Sequence, residues 1–348
     1  MLMQAVSYGI LVYSFALFVV PWLTAFDAER ANVMMTVFVL QIGMGVISPF
    51  AGRLLDHYPS QWLVAGGGLL LAGSLMLVSA ASNLWQITLI YALLLPVAIT
   101  LTGPLAAQTI ITKWFVHQRG LAIGVSAVGT SLGGFLLPIL TSALMTDLEW
   151  RTVLQYLALL TLVLVCPLAW LILRRPVPSV PQPVAAAAEP GEVSEPAVST
   201  HEHRAWTTRE ILTTRNFWLP VIALLPLSMA FGGVQFNLAA YAQDLGNSVS
   251  QAAWLISVLS LAMIVGKLFF GFMADRVVHR NLYWLAAGFM CLTLIGLQGD
   301  PSYLVLVLCS VSMGLAVGGL LPLMGAIYSQ RFGARSFGRV MGLVTMII

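Results

Sequence analysis

The sequence predicts an all-α integral membrane protein built from two pseudo-symmetric six-helix halves, the second of them truncated. Three observations carry that expectation. The 348-residue chain is 59% hydrophobic and only 8% charged, with a mean hydropathy of +0.92. A soluble domain of this length could not hide so much apolar surface, so the solvent is lipid. Apolar runs long enough to cross a bilayer follow one another along the chain. Part of the chain also occurs twice. Gly52-Arg-Leu-Leu-Asp56 returns as Gly271-Phe-Met-Ala-Asp275, displaced by 219 residues, and Pro104, Lys113, Gly120 and Gly124 match Pro322, Arg331, Gly338 and Gly342 at 218. Repeats in the same order build matched halves.

A spanning helix needs ~20 apolar residues. Ten full spans are expected, over 1–24, 32–55, 61–82, 84–111, 119–145, 153–173, 216–243, 250–274, 282–298 and 302–328. An eleventh begins near Ser336, and its 13 residues to Ile348 reach only about 20 Å, short of a ~30 Å hydrocarbon core. About 10.5 of twelve helices are therefore expected. By the repeat, a complete second half would need about 45 more residues, and the first span begins with no polar segment before it, so a fragment of a twelve-helix protein is the expectation. The first 23 residues have no basic leader and no small-residue cleavage site, and read as the first span. The division expected is a first bundle at 1–175, a linker at 176–206 and a second bundle at 207–348. The linker holds prolines 176, 178, 181, 183, 190 and 196, an alanine run and scattered glutamates, which cannot build a core. Thr207 to Asn216 reads as a short surface helix leading into the seventh span.

Charge sets the orientation. Arg53, Lys113, Arg119, Arg174, Arg175, Arg204, Arg209, Arg215, Arg276, Arg280, Arg331, Arg335 and Arg339 fall on one side, with only Arg30 and Arg151 opposite. By the positive-inside rule the N-terminus and the central linker are cytoplasmic, in a multi-pass protein of the plasma (inner) membrane. The opposite loops hold Asp27, Glu29, Asp147, Glu149, Asp244 and Asp300.

Other classes are excluded on the residues. A net charge of +3 is too small and too spread out for nucleic acid. Cysteines 166, 291 and 309 lie within apolar runs, without metal or disulfide spacing, and read as small core residues. His201 and His203 read as a solvated pair rather than a metal site. There is no nucleophile elbow, Walker loop or dinucleotide fingerprint, so no enzyme and no cofactor is expected. Gly66-Gly67-Gly68 serves helix packing.

The two Gly-x-x-x-Asp elements lie at the inner ends of the second and eighth spans. Glycine lets a neighbouring helix approach, and the aspartate four residues on shares its helix face. There a carboxylate can accept from the free N–H groups at the start of a facing helix, where the dipole also favours negative charge. The two-fold arrangement predicts that Asp56 meets the start of the eleventh span near Ser336–Gly338 and that Asp275 meets the start of the fifth near Gln118–Gly120. Such contacts would hold the cytoplasmic side closed. The alternative is ordinary capping in tight turns.

Gly271-Phe-Met-Ala-Asp275-Arg276-Val-Val-His-Arg280 resembles the loop signature of the major facilitator superfamily. The first copy departs from it: His57 stands where a basic residue is usual, and Pro59-Ser60-Gln61 where a glycine and a basic pair are. Trp114-Phe115, Arg119-Gly120-Leu-Ala-Ile-Gly124, Gly129, Gly133-Gly134, Pro138, Trp150-Arg151 and Phe217-Trp218 resemble the monocarboxylate porter and oxalate/formate antiporter group. The resemblance implies a major facilitator fold, alternating access around a central cavity, and gating residues at Gly52, Arg53, Asp56, Arg119, Gly271, Asp275, Arg276 and Arg280.

Lys267 is the chief binding candidate. It is one of two lysines and lies inside the eighth span, eight residues or about 12 Å from Asp275. An ammonium within a membrane is a functional-site hypothesis by default. Ala253, Ser257, Ser260, Lys267 and Gly271 fall on one small and polar stripe of that helix. In the resembling group a basic residue here, usually arginine, pairs with a substrate carboxylate; lysine offers a point charge without the bidentate fork. Snorkelling to the headgroups is the competing reading. An aspartate usual one turn earlier is Met263 here, so coupling through a buried carboxylate is not expected. Asn237, Tyr241, Tyr8 and Gln108 are further polar candidates, each able to bond substrate or merely a neighbouring helix. The function expected is secondary active or facilitative transport of small organic anions, mono- or dicarboxylates, by a monomer in the lipid bilayer; exchange for a counter-anion, facilitated diffusion and proton movement through Lys267 itself stay open as its mode. The alternatives are a carrier of neutral or amphipathic compounds, drug export included, and a non-transporting sensor or truncated product.

Overall fold

The structure is a computed structural model and describes residues 1–115, 118–173 and 206–348. The linker expectation at 176–206, with His201 and His203, lies outside the described residues up to residue 205, as do the side chains of Cys166 and Ala253. Every regular element among the described residues is helical.

The first span is a bent pair. Helix α1 (Leu2–Tyr8) runs into a π-helical turn, Gly9–Tyr13, and then into α2 (Phe15–Phe26), which departs at 41°. The wide turn is closed by Ser14, whose N–H and Oγ both donate to the Gly9 carbonyl at 2.9 and 2.8 Å. Helix α3 (Arg30–His57) stops at Tyr58, which is extended because Pro59 follows it. Helix α4 (Ser60–Ser79) returns. The fourth span, expected as one run over 84–111, is three pieces: α5 (Leu84–Leu93), α6 (Leu95–Thr102) and α7 (Pro104–Trp114). Pro96 and Pro104 sit in the first turns of α6 and α7, where a residue without an N–H is tolerated, and Gly103 is extended between them. Helices α8 (Arg119–Asp147) and α9 (Trp150–Leu173) complete the first set.

The second set opens with the short α10 (Thr208–Thr213), whose N-terminus carries a capping box between Thr207 and Glu210. It continues as α11 (Arg215–Asp244), α12 (Val249–Ala274), α13 (His279–Gly296), α14 (Tyr303–Phe332) and α15 (Phe337–Ile347). Among the described residues eight helices are long and apolar enough to cross a membrane, or nine if the bent pair is one span. Ten spans were expected. The difference is α13, a helix packed against α14 whose first turn, His279-Arg280-Asn281, dilutes its apolar run.

Buried apolar side chains form two clusters. One draws only on residues from Val6 to Ala169; the other runs from Ile211 to Val344 and takes in Ala51, Leu55, Leu105 and Ala106. Those four lie toward the end of the bundle that holds Arg53, Lys113, Arg119, Arg276, Arg331 and Arg339, called here the basic end. The two sets of helices meet there.

Candidate functional site

Two carboxylates cross between the helix sets at the basic end. Asp56, on the last turn of α3, accepts from the Gly338 and Arg339 N–H groups, both at 2.8 Å. Asp275, just past α12, accepts from the Gly120 and Leu121 N–H groups at 2.8 and 2.9 Å. Each anion takes two free donors of a helix start, the site that backbone geometry and dipole both favour. Glycine allows the approach. A β-carbon on Gly120 would lie 2.8 Å from the Gly271 carbonyl oxygen, and one on Gly338 2.6 Å from that of Gly52. One turn further in, a β-carbon on Gly124 would meet the Lys267 carbonyl oxygen at 2.5 Å. The repeated glycines and aspartates thus form two matched seams, α3 against α15 and α12 against α8.

The charged residues beside the seams have separate partners. Arg53 donates to Thr208 Oγ1 at 3.2 Å. Lys113 donates to the last carbonyls of α3, Leu55 and Asp56. Arg119 Nε donates to the Phe115 carbonyl at 2.9 Å, and Arg276 lies over the Phe272 ring at 3.7 Å. Arg280 is exposed.

Lys267 does not snorkel. It is 1% exposed, and its Nζ donates to Thr130 Oγ1 at 2.7 Å and to Ser131 Oγ at 2.6 Å, both on α8 of the other helix set. Among the described residues no carboxylate accepts from it. Ser131 has a second face, toward a cavity of about 100 Å³ that it lines with Tyr13, Gly134, Gln235, Leu238, Ile256, Leu259, Ser260 and Met263. The π-helical turn ends at Tyr13, which it delivers to the cavity wall. A β-carbon on Gly134 would lie 3.0 Å from the Tyr13 ring. The ammonium therefore sits immediately behind a small cavity lined by hydroxyl and amide groups together with aliphatic side chains.

The other candidates do not line this cavity. Asn237 is exposed and its amide donates to its own helix, to the Gly233 carbonyl at 2.7 Å. The single Tyr241 hydroxyl proton is shared between the Leu297 and Gly299 carbonyls, at 2.9 and 2.8 Å, tying α11 to the turn after α13. Tyr8 is half-buried and packs against Gly103 at the α6–α7 break. Gln108 is 3% exposed, faces Gly325 of α14, and its Oε1 has no hydrogen-bond partner among the described residues. A buried, unpaired amide oxygen costs about 1–3 kcal/mol. Gln108→Leu is accordingly expected to raise the melting temperature of the solubilised protein by a few degrees. An unchanged or lower midpoint would mean that the oxygen is satisfied after all.

Sequence reasoning did not single out Thr130, Ser131, Tyr13 or Gln235. Thr130 and Ser131 had a signal: two adjacent hydroxyls inside the glycine-rich run Gly129 to Gly134 of a membrane helix.

Comparison with known proteins adds the lineage. The family model of the Major Facilitator Superfamily matches residues 1–348. The agnestins efflux protein of Paecilomyces divaricatus is 27% identical over 84% of this chain and 63% of its own length. Monocarboxylate transporter 13 of Bos taurus is 27% identical over 99% of this chain and 76% of its own. The chain thus spans less than two thirds of the length of the first relative. In fold, the crystal structure of the E. coli fucose:proton symporter superposes with a TM-score of 0.68 at 15% identity, covering 99% of this chain and 86% of that one.

Proposed function

The chain belongs to the major facilitator superfamily, and from that premise we propose that it moves small organic anions, mono- or dicarboxylates, across a membrane by alternating access. The observation that carries the proposal is the buried Lys267 ammonium behind Ser131. Two hydroxyl dipoles are weak compensation for a desolvated charge. A carboxylate arriving in the cavity can replace Ser131 as acceptor and supply a full negative charge, while Thr130 keeps its bond. The cavity supports a small substrate, since pockets for drug-sized ligands run to ~300–1,000 Å³. The likeness to a monocarboxylate transporter over 99% of the chain agrees with this chemistry.

In this reading the basic end is cytoplasmic, following the excess of arginine there. The halves at 1–175 and 207–348 rock about the cavity. Asp56 and Asp275, with Gly52 and Gly271 beside them, hold the cytoplasmic side shut, and Arg53, Arg119, Arg276 and Arg280 belong to the same gate. Charged partners take part in roughly 1.5–3 kcal/mol per bond, so four bonds outweigh any one side chain elsewhere in the seams.

A second reading, carriage of a neutral or amphipathic compound, draws on the likeness to an efflux protein. Uptake into proteoliposomes separates the two. Labelled short mono- and dicarboxylates are offered beside their neutral amides. Flux of the acids alone is the expected result; amides that enter as fast as their acids would overturn the anion proposal in favour of the second reading.

A further inference from the structure

The peptide that re-enters the bundle after the linker is bound to the receptor of Asp56. The Trp206 N–H donates to Ser336 Oγ at 2.9 Å, and the Trp206 carbonyl accepts from the Arg339 guanidinium. The Trp206 ring meets Phe332 edge-on, with centroids 5.3 Å apart. Ser336 and Arg339 bracket the turn whose Gly338 and Arg339 N–H groups bond Asp56. Two residues on, Thr208 Oγ1 accepts from Arg53, which sits three residues before Asp56 on α3. The segment is itself anchored: the capping box fixes the start of α10, and Ile211 is fully buried in the second apolar cluster.

We propose that Trp206–Thr213 is a clasp on the α3–α15 seam, which holds the turn at Ser336–Arg339 aimed at Asp56 and bridges it to Arg53. The two seams are unequal in a way that fits this role. Past Asp275 the chain continues with Arg276 and Arg280, whereas past Asp56 it reads His57-Tyr58-Pro59-Ser60-Gln61, without a fixed positive charge. The copy that lacks these following charges is the one that the re-entering peptide touches. The clasp residues are positioning residues. They touch no substrate and act through the two donors that Asp56 accepts. The proposal rests on the alternating-access reading but not on the identity of the cargo.

The test uses the full chain in lipid nanodiscs, with its three native cysteines replaced by serine and a reporter at Ser48→Cys. Ser48 is 1% exposed and faces Gly342 across the seam. Alkylation by a polar maleimide reads opening of this seam without any substrate. Thr208→Val with Ser336→Ala removes both hydroxyl ties. The expected result is labelling at least about fivefold faster, the factor that one ordinary hydrogen bond commands. Thr146→Val, an exposed residue at the other end of α8 whose hydroxyl bonds its own helix at Ser142, is the reference and is expected to leave the rate alone. Asp56→Asn reports on the seam itself. Faster labelling with Asp56→Asn but an unchanged rate in the clasp variant overturns the clasp and leaves alternating access standing. An unchanged rate in both overturns the alternating-access reading and the clasp with it.

Discussion

Lys267→Gln is expected to cut carboxylate flux at least about thirtyfold, while leaving the protein folded. Glutamine keeps a long stem and an amide that can still donate to Thr130 and Ser131, the two acceptors at 2.7 and 2.6 Å. What it loses is the charge. Removing one member of a buried, hydrogen-bonded charge pair costs roughly 2–5 kcal/mol, and 1.4 kcal/mol is a factor of ten. The loss falls on binding of the anion, because in the empty site the hydroxyls are neutral and the amide suits them as well as the ammonium does. Lys267→Arg, which keeps the charge, is expected to retain a measurable share of the flux. Initial uptake rates in proteoliposomes decide it: flux in Lys267→Gln equal to that of the unaltered protein would remove Lys267 from the site.

Gly124→Val is expected to keep the basic end from closing. The new β-carbon would lie 2.5 Å from the Lys267 carbonyl oxygen and 3.0 Å from the Gly271 α-carbon. Both neighbours are backbone, so no rotamer change relieves the clash, and α8 and α12 must move apart. The Gly120 and Leu121 N–H groups, one turn away, then leave Asp275, and two bonds to a charged acceptor worth about 1.5–3 kcal/mol each are lost together. A cysteine placed at Ala274, 3% exposed in this seam, is expected to label rapidly in the Gly124→Val background and slowly otherwise. Labelling that stays slow would mean the helices absorb a side chain there, and the seam is looser than its distances imply.

Much of this architecture can be read from the residues because the repeat carries it. A glycine and an aspartate four apart at a helix end, met twice, specify both a close approach and an anion in search of donors. The partners at Gly338 and Gly120 follow from the two-fold relation of the halves. Long-range partners without such a relation do not follow. Nothing in the helix face of Lys267 names Thr130 and Ser131, because side-chain periodicity places a residue on its own helix and says nothing about which helix comes to face it. Tyr241 and Asn237 show the same limit. Their polar groups look available for a ligand, and one is taken by the turn after α13 and the other by its own helix. The π-helical turn at Gly9–Tyr13 has no sequence marker, since Gly-Ile-Leu-Val-Tyr contains no proline and the extra residue is set by the fit of Ser14. The breaks at Leu94 and Gly103 were marked, by Pro96 and Pro104, but in lipid a proline-bearing apolar run continues as one span in composition even where its hydrogen bonds stop.

The glycine seams also decide what kind of process closure is. Where Gly52 and Gly124 meet the facing helices, the nearest contacts are backbone on backbone, with no side chain among them. Joining such surfaces freezes no rotamers, so the side-chain entropy that an interdigitated contact loses is absent at these points. Parting them exposes little apolar area there, so little heat capacity changes hands. At the glycine contacts the closed form is held by four hydrogen bonds to two carboxylates, an enthalpic term, while Ala51, Leu55, Leu105 and Ala106 carry the apolar share of the junction. A calorimetric comparison of the joined and parted forms is expected to show a heat-capacity difference set by those four apolar side chains, with the glycine contacts adding little to it.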